Sequence, residues 1–135
     1  MKMEKPSPKV CVIGAGCSGL TTIKNLIQAG VEDITCYEQN DQIGGNWVYT
    51  SQVSHSSVCE TTHIISSKKL SEYLDFPMPA HYPDYPSHHQ VLAYFQAYSK
   101  QFGLERFIQF NSKVQQVTKL ANDTWEVALA SGEKN

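Results

Sequence analysis

Apolar positions near the start of the chain change their spacing twice. Residues 9–13 form a short apolar, β-branched run, which predicts a buried parallel strand. Helical spacing begins at Ser18, and the positions that carry it are Leu20, Ile23, Leu26 and Ile27. Gly30 stands where a glycine that ends a helix belongs, and residues 34–37 predict a second strand. Together these segments predict a β-α-β unit with a right-handed crossover.

A long stretch without periodicity follows the second strand. Residues 40–60 predict an extended loop, and residues 66–74 predict a short helical piece. The prolines between residues 77 and 86 predict a stiff, extended segment, because proline fixes φ and lacks an N–H donor. We expect three neighbouring aromatic side chains to pin this segment to the domain: Phe76, Tyr82 and Tyr85.

Helical spacing returns after the proline-rich segment. Ser87 and Gln90 fit a capping box, and Gly103 marks the end of the helix. The apolar face of this helix consists of Val91, Phe95, Tyr98 and Phe102. The pattern predicts one amphipathic helix between Ser87 and Gly103.

The last part of the chain reads as β-structure. Residues 107–110 predict a strand, and the runs 114–120 and 125–130 predict a hairpin around the turn at 121–124. A doubly wound sheet needs more strands than this pattern provides. We therefore expect the N-terminal part of a longer protein, the alternative being a complete small domain.

Composition narrows the class of protein. The 135 residues are 41% hydrophobic and 18% charged, with a net charge of −2 and no basic stripe, so we expect no nucleic-acid partner. No apolar run approaches the roughly 20 residues of a membrane span, so none is predicted in this segment. The polar residues 1–8 are predicted to be a disordered tail before a single domain at 9–135.

The cysteines and histidines suggest no metal site. The four cysteines, none of them in a C-x-x-C pair, are Cys11, Cys17, Cys36 and Cys59. We interpret them as reduced thiols of a cytoplasmic protein. His88 and His89 are adjacent, and on a helix such side chains are expected to point about 100° apart. They should therefore not share a metal ion.

A glycine-rich turn follows the first predicted strand and opens the first predicted helix. The turn matches G-x-G-x-x-G, and its residues are Gly14, Ala15, Gly16, Cys17, Ser18 and Gly19. In such a turn the first glycine permits a tight bend, the second lets backbone approach a pyrophosphate, and the third lets the helix pack closely. The helix N-terminus then presents N–H groups to the phosphates. We interpret Cys17 as a small residue tolerated there.

Glu38 ends the second predicted strand, where an acid can accept hydrogen bonds from an adenosine ribose. It would repel a 2′-phosphate, so the ligand is predicted to be NAD-like or FAD. A second glycine pair follows in the pattern E-x(5)-G-G-x-W, which includes Gly45, Asn46 and Trp47. This second close approach of backbone favours the longer dinucleotide, FAD. Trp47 either covers part of that ligand or is an ordinary packed aromatic.

The two glycine motifs, GAGCSGL and EQNDQIGGNW, resemble the FAD-binding signature of the flavin-containing monooxygenases. The resemblance continues through DFPMP, the YP repeats and YFQAYSKQF, and covers residues 10–125. It implies an α/β fold: a Rossmann-like FAD-binding domain of a two-dinucleotide-binding flavoprotein, with a C-terminal β-hairpin or meander. The FAD-binding residues that it implies are Gly14, Ala15, Gly16, Cys17, Ser18, Gly19, Glu38, Gly45, Asn46, Trp47 and Ser66.

The resemblance also implies an activity, a flavin-dependent monooxygenase of the N,N-dimethylaniline type. NADPH, bound mostly outside this chain, would reduce FAD, and O2 would form a C4a-hydroperoxyflavin that oxygenates an amine nitrogen or a sulfur. No catalytic side chain is needed, because the chemistry belongs to the cofactor. The chain alone is expected to be inactive, and the sequence indicates no oligomeric state.

One position departs from the family pattern. Many members carry Asn three residues before the Lys that matches Lys68, and this chain has Ile65 there. An apolar side chain cannot donate the hydrogen bond of an Asn.

Two alternatives stay open: the FAD domain of a Baeyer–Villiger or N-hydroxylating monooxygenase, and a truncated, non-catalytic nucleotide-binding module.

Overall fold

The computed structural model describes residues 7–52, 56 and 58–135, which form two compact units. The first unit combines the chain up to Gln42 with Leu104–Asn135, and the second is Ile43–Gly103. The tail predicted for residues 1–8 lies mostly outside the described residues, and the domain boundary at residue 9 stays a prediction. None of the described helices is long and apolar enough to cross a membrane.

A three-stranded parallel sheet forms the centre of the first unit. Its strands are β1 (Val10–Ile13), β2 (Ile34–Tyr37) and β3 (Ile108–Gln109), in the order β1-β2-β3. Helix α1 (Cys17–Gln28) joins β1 to β2, as the apolar spacing predicted. The register pairs Val10 with Ile34 and continues to Ile13 and Tyr37. The predicted β-α-β unit is thus confirmed.

Helix α1 is held on the sheet by its apolar stripe. Leu20 and Ile23 are fully buried, and so is Cys36 on the central strand. The helix ends where the sequence predicted, because Gly30 adopts φ +83° and its N–H bonds to the carbonyl of Ile27 at 3.0 Å.

The end of the chain forms the predicted antiparallel hairpin. Strands β4 (Val114–Lys119) and β5 (Trp125–Leu129) pair along their length. Val127 and Leu129 of β5 pack with Tyr37 in a small core. Asn135 exchanges backbone hydrogen bonds with Val127 at 2.8 and 3.0 Å. The last residues of the chain therefore pair with the outer side of β5.

The second unit contains two helices, α2 (Lys68–Ser71) and α3 (His88–Phe102). The predicted capping box is present: the Gln90 N–H donates to the Ser87 hydroxyl at 3.4 Å, and the Ser87 N–H donates to the Gln90 amide oxygen at 3.0 Å. Gly103 ends α3 in the left-handed conformation. Local sequence therefore determines both ends of α3.

Phe76 and the tyrosines of α3 form an aromatic cluster beneath the proline-rich segment. The Tyr94 hydroxyl donates to the carbonyl of Phe76 at 2.6 Å and accepts from the N–H of Tyr73 at 2.8 Å. Burial raises the pKa of Tyr98 to about 12. The prediction that Tyr85 pins this segment is wrong, because Tyr85 is 54% exposed. Pro86, which follows it, is buried instead.

Candidate functional site

The glycine turn connects the end of β1 to the start of α1. Gly14 adopts φ +90°, a conformation that L-residues rarely tolerate, and its N–H donates to the carbonyl of Tyr37 at 2.8 Å. Gly16 precedes the helix, gives it no side-chain cap, and no acidic residue lies in the first turn. Within α1 itself, neither a capping side chain nor a first-turn carboxylate meets the positive end of the helix dipole.

Gly19 shows how closely α1 approaches the strand. A Cβ atom at this position would lie 1.9 Å from the carbonyl oxygen of Gly14 and 3.7 Å from a methyl group of Val12. Backbone cannot move aside as a flexible side chain can, so only glycine fits. The close helix packing expected for the third glycine of the motif is present.

Glu38 follows β2 and is 3% exposed. One carboxylate oxygen accepts the N–H of Ala15 at 2.6 Å, and the other accepts the N–H of Asn40 at 2.9 Å. Its own N–H donates to the carbonyl of Gln109 at 2.9 Å. The acid therefore ties the glycine turn to the ends of β2 and β3, a structural role that the sequence pattern did not predict.

A cavity of about 160 Å³ lies beside Gly14 and Glu38. Its lining residues are Ile13, Gly14, Tyr37, Glu38, Gln39, Lys113 and Val114. Lys113 and Val114 were not among the predicted site residues. The signal for them is topological: ligands of parallel α/β sheets bind at the carboxyl ends of the strands, and these two residues follow β3.

The cysteines near the turn do not form a redox pair. Cys36 lies under the turn with its Sγ 3.5 Å from the carbonyl of Gly14, and burial, followed by the charge of Glu38, raises its pKa to about 12. Cys17 is exposed at the start of α1, and none of the four cysteines forms a disulfide. Cys36 is therefore a packed thiol that stays protonated.

The second glycine pair leads into a 3-10 turn, Gly45–Trp47, in the second unit. Gly44 and Gly45 both have positive φ, +129° and +56°. The N–H of Trp47 donates to the carbonyl of Gly44 at 3.1 Å, and the carbonyl of Asn46 accepts from the Ser56 hydroxyl at 2.8 Å. The structure thus gathers three predicted site residues, Gly45 to Trp47, in a single turn.

Ser66 lies in the same unit, just before α2. Its hydroxyl is 2.6 Å from that of Ser71. Ile65 beside it is 99% exposed, so its apolar side chain contributes nothing to the packing of the described residues.

The adjacent histidines do not point apart as expected. The His88 and His89 ring centroids are 3.9 Å apart with the ring planes tilted by 39°, although His88 is buried and His89 is exposed. Among the described residues, no group of His, Cys, Asp or Glu side chains is placed to hold a metal ion.

Residues 7–135 match the family described as flavin-binding monooxygenase-like. The chain belongs to this family. The match confirms the resemblance seen in the two glycine motifs, and FAD and NADPH are the cofactors of this family. The glycine turn between β1 and α1 and the acid after β2 follow the order of elements in the dinucleotide-binding fingerprint.

Curated relatives and a solved structure agree with this assignment. The chain is 41% identical over 113 residues to flavin-containing monooxygenase 5 of Rattus norvegicus, covering 82% of this chain and 21% of that protein. It is 38% identical over 132 residues to flavin-containing monooxygenase 1 of Homo sapiens, covering 93% and 25%.

The structure of S-allyl-L-cysteine S-oxygenase from Allium sativum superposes with a TM-score of 0.85 at 25% identity, covering 93% of this chain and 33% of that one. This confirms the α/β, Rossmann-like fold class. The chain spans about a fifth to a quarter of the length of the curated relatives named above.

Proposed function

We propose that this chain is the FAD-binding portion of an NADPH-dependent flavin monooxygenase that oxygenates soft nucleophilic nitrogen or sulfur atoms. The observation that carries the proposal is the glycine turn, which opens α1 without a side-chain cap and is tied by Ala15 to the buried carboxylate of Glu38. Such a turn fits a pyrophosphate, because backbone N–H groups and the helix dipole act together on the negative charge.

The adenosine half of FAD is assigned to the first unit. The cavity beside Gly14 and Glu38 has room for part of an adenosine, at about 160 Å³. Each carboxylate oxygen of Glu38 has one backbone donor and retains a further lone pair for a ribose hydroxyl. A 2′-phosphate at this place would meet the carboxylate, so NADP is disfavoured here. Gly45, Asn46, Trp47 and Ser66 are assigned to the remainder of FAD.

The chain's own contribution is to bind and orient the cofactor. When bound, FAD supplies the redox chemistry, accepting electrons from NADPH and activating O2 for transfer of one oxygen atom. We assign no side-chain acid, base or nucleophile. An amine or a sulfide is the proposed substrate class: the curated relatives are named flavin-containing monooxygenases, and the garlic enzyme is named an S-oxygenase. A cytoplasmic location remains part of the proposal.

The absorbance of the purified full-length protein tests this function. We expect a yellow protein whose flavin bands bleach when NADPH is added without oxygen. Incubation in air with a tertiary amine or a thioether should then give an N-oxide or a sulfoxide. A colourless protein that takes up no FAD overturns the proposal, and an ester formed from a ketone would identify the Baeyer–Villiger alternative.

Gly16→Val tests the phosphate site directly. A valine side chain at this position would stand between the backbone and the pyrophosphate, so we expect FAD binding to be lost. Gln28→Val, at the exposed far end of α1, is the matched control and should bind FAD normally. Retention of flavin by Gly16→Val would show that this turn is not the phosphate site.

A further inference from the structure

We propose that His88 is a positioning residue for the turn Gly45–Trp47, an inference that rests on the proposed function of that turn in FAD binding. His88 is the first residue of α3 and is 1% exposed. No chemistry assigned to the chain uses this imidazole. Its contacts instead connect the loop before α2 and the segment after Trp47 to one end of α3.

The hydrogen bond of His88 shows which atom of its ring acts as a donor. Nε2 lies 3.0 Å from the carbonyl oxygen of Glu60, and a carbonyl can only accept, so Nε2 carries the proton and donates. Nδ1 has no hydrogen-bond partner among the described residues. Among the described residues, the polar contact of the ring is therefore the hydrogen bond that holds the loop at Glu60.

The other side of the ring contacts the segment that follows Trp47. The centroid of the Tyr49 ring lies 5.4 Å from that of His88, with the rings tilted by 55°. One turn further along α3, Leu92 packs so close to Gly44 that a Cβ there would lie 2.3 Å from its Cδ1. The first two turns of α3 thus contact the chain on both sides of the 3-10 turn.

The backbone around His88 reinforces this arrangement. The His88 N–H donates to the carbonyl of Thr62 at 2.9 Å, and the Ile64 N–H donates to the carbonyl of Pro86 at 3.0 Å. This short antiparallel pairing leads directly to Ser66, another candidate FAD contact. His88 is therefore the point at which the segments bearing Ser66 and Trp47 are fastened to the same helix.

The pair His88→Met and His88→Gln separates the donor from the bulk of the side chain. Methionine and glutamine have similar length and no branch, but only glutamine offers an N–H that can reach the Glu60 carbonyl. The remaining polar atoms of the glutamine amide would lie near the place of Nδ1, which already lacks a described partner, so this variant replaces one unpaired polar group by another. FAD affinity that is retained in His88→Gln but lost in His88→Met would show that the donated hydrogen bond positions the turn.

FAD affinity of the full-length protein, measured by flavin fluorescence after removal of the cofactor, is the first readout. We expect His88→Met to bind FAD about tenfold more weakly, His88→Gln to stay within about twofold of wild type, and the exposed neighbour variant His89→Met to be unchanged. The visible circular dichroism of bound flavin should change in His88→Met only. A purely structural role would lower the Tm of the apoprotein without altering this spectrum.

Each outcome bears on a different statement. Unchanged affinity and spectrum in His88→Met, or equal weakness in His88→Gln, overturns the positioning role while leaving FAD binding intact. A wild-type protein that takes up no FAD overturns the proposed function and this inference with it. If His88→Met does not fold, Tyr49→Leu removes the opposite contact and should weaken FAD binding about threefold; unchanged binding there overturns the inference.

Discussion

Each of the two glycine turns of this chain contains a glycine with positive φ, but the two turns have different supports. In the first turn, the atom nearest to a Cβ added at Gly19 is a backbone carbonyl oxygen, and the buried carboxylate of Glu38 binds the N–H of Ala15. At Gly44 in the second turn, the neighbours of an added Cβ are the side chains of Leu92 and Val48, and a helix from a distant part of the sequence provides the support. The first turn is determined by regular secondary structure and the second by side-chain packing.

This difference predicts how each turn responds to change. Backbone atoms within a sheet and a helix cannot yield, so Gly19 of the first turn should tolerate no added side chain. Side chains can change rotamer, so the second turn should adapt at moderate cost. The phosphate end of the proposed FAD site is therefore expected to be the more rigid of the two.

Gly19→Ala should have the largest effect. Its Cβ would lie 1.9 Å from the Gly14 carbonyl oxygen, so α1 must move off the strand, and we expect a loss of about 3 kcal/mol with loss of FAD binding. Gly30→Ala, at the other end of α1, has open space around its Cβ and should lose only about 1 kcal/mol to its positive φ. Urea unfolding measures both, and equal losses would contradict the steric argument.

Glu38→Ala should be nearly as severe. It removes the acceptor of the Ala15 and Asn40 N–H groups, and we expect a loss of about 2.5 kcal/mol together with a marked loss of FAD affinity. Glu126→Ala, which breaks a 3.0 Å ion pair with the exposed Lys134, should lose less than about 0.5 kcal/mol. Chemical denaturation monitored by far-ultraviolet circular dichroism compares them. A stable Glu38→Ala protein would show that the acid does not fasten the turn.

Gly44→Ala tests the softer turn. The positive φ and the 2.3 Å approach to Leu92 Cδ1 predict a loss of about 2 kcal/mol. Leu92→Ala removes the Cδ1 atom with which the new Cβ would collide. The double variant should therefore be about 1 kcal/mol more stable than the sum of the two single losses predicts. Strict additivity in a double-mutant cycle would mean that Leu92 does not support this turn.

Ser87→Ala should have the smallest effect. It removes the side-chain acceptor of the capping box but keeps the backbone pairing of this segment with the loop at Ile64, so we expect a loss of about 1 kcal/mol. Ser131→Ala, in an exposed turn of the hairpin, serves as the control with no expected change. Thermal unfolding separates the two. A loss of stability greater in Ser87→Ala than in Gly44→Ala would contradict the expected order of these two effects.

Much of the fold was predictable because its signals are local. The spacing of apolar residues predicted α1 and the parallel pair β1-β2, and the capping box and Gly103 predicted both ends of α3. The third glycine of the motif also predicted the close helix packing that Gly19 shows. In each case the cause lies within a few residues of the effect.

What the sequence did not predict depends on contacts between distant residues. The prediction that Tyr85 pins the proline-rich segment is wrong, because Tyr85 is 54% exposed and the adjacent Pro86 is buried. The divergence expected for His88 and His89 is wrong, since their ring centroids lie 3.9 Å apart.

The sequence by itself determined the β-α-β unit, its glycine turn and the acid after the second strand, because backbone conformation and hydrophobic periodicity are properties of short segments. Only the tertiary structure decided that Glu38 is fastened to Ala15, that Lys113 borders the cavity, and that His88 joins two loops to one helix. These contacts join residues that are far apart in the chain. Local sequence patterns therefore cannot predict them, because the residues come together only when the chain folds.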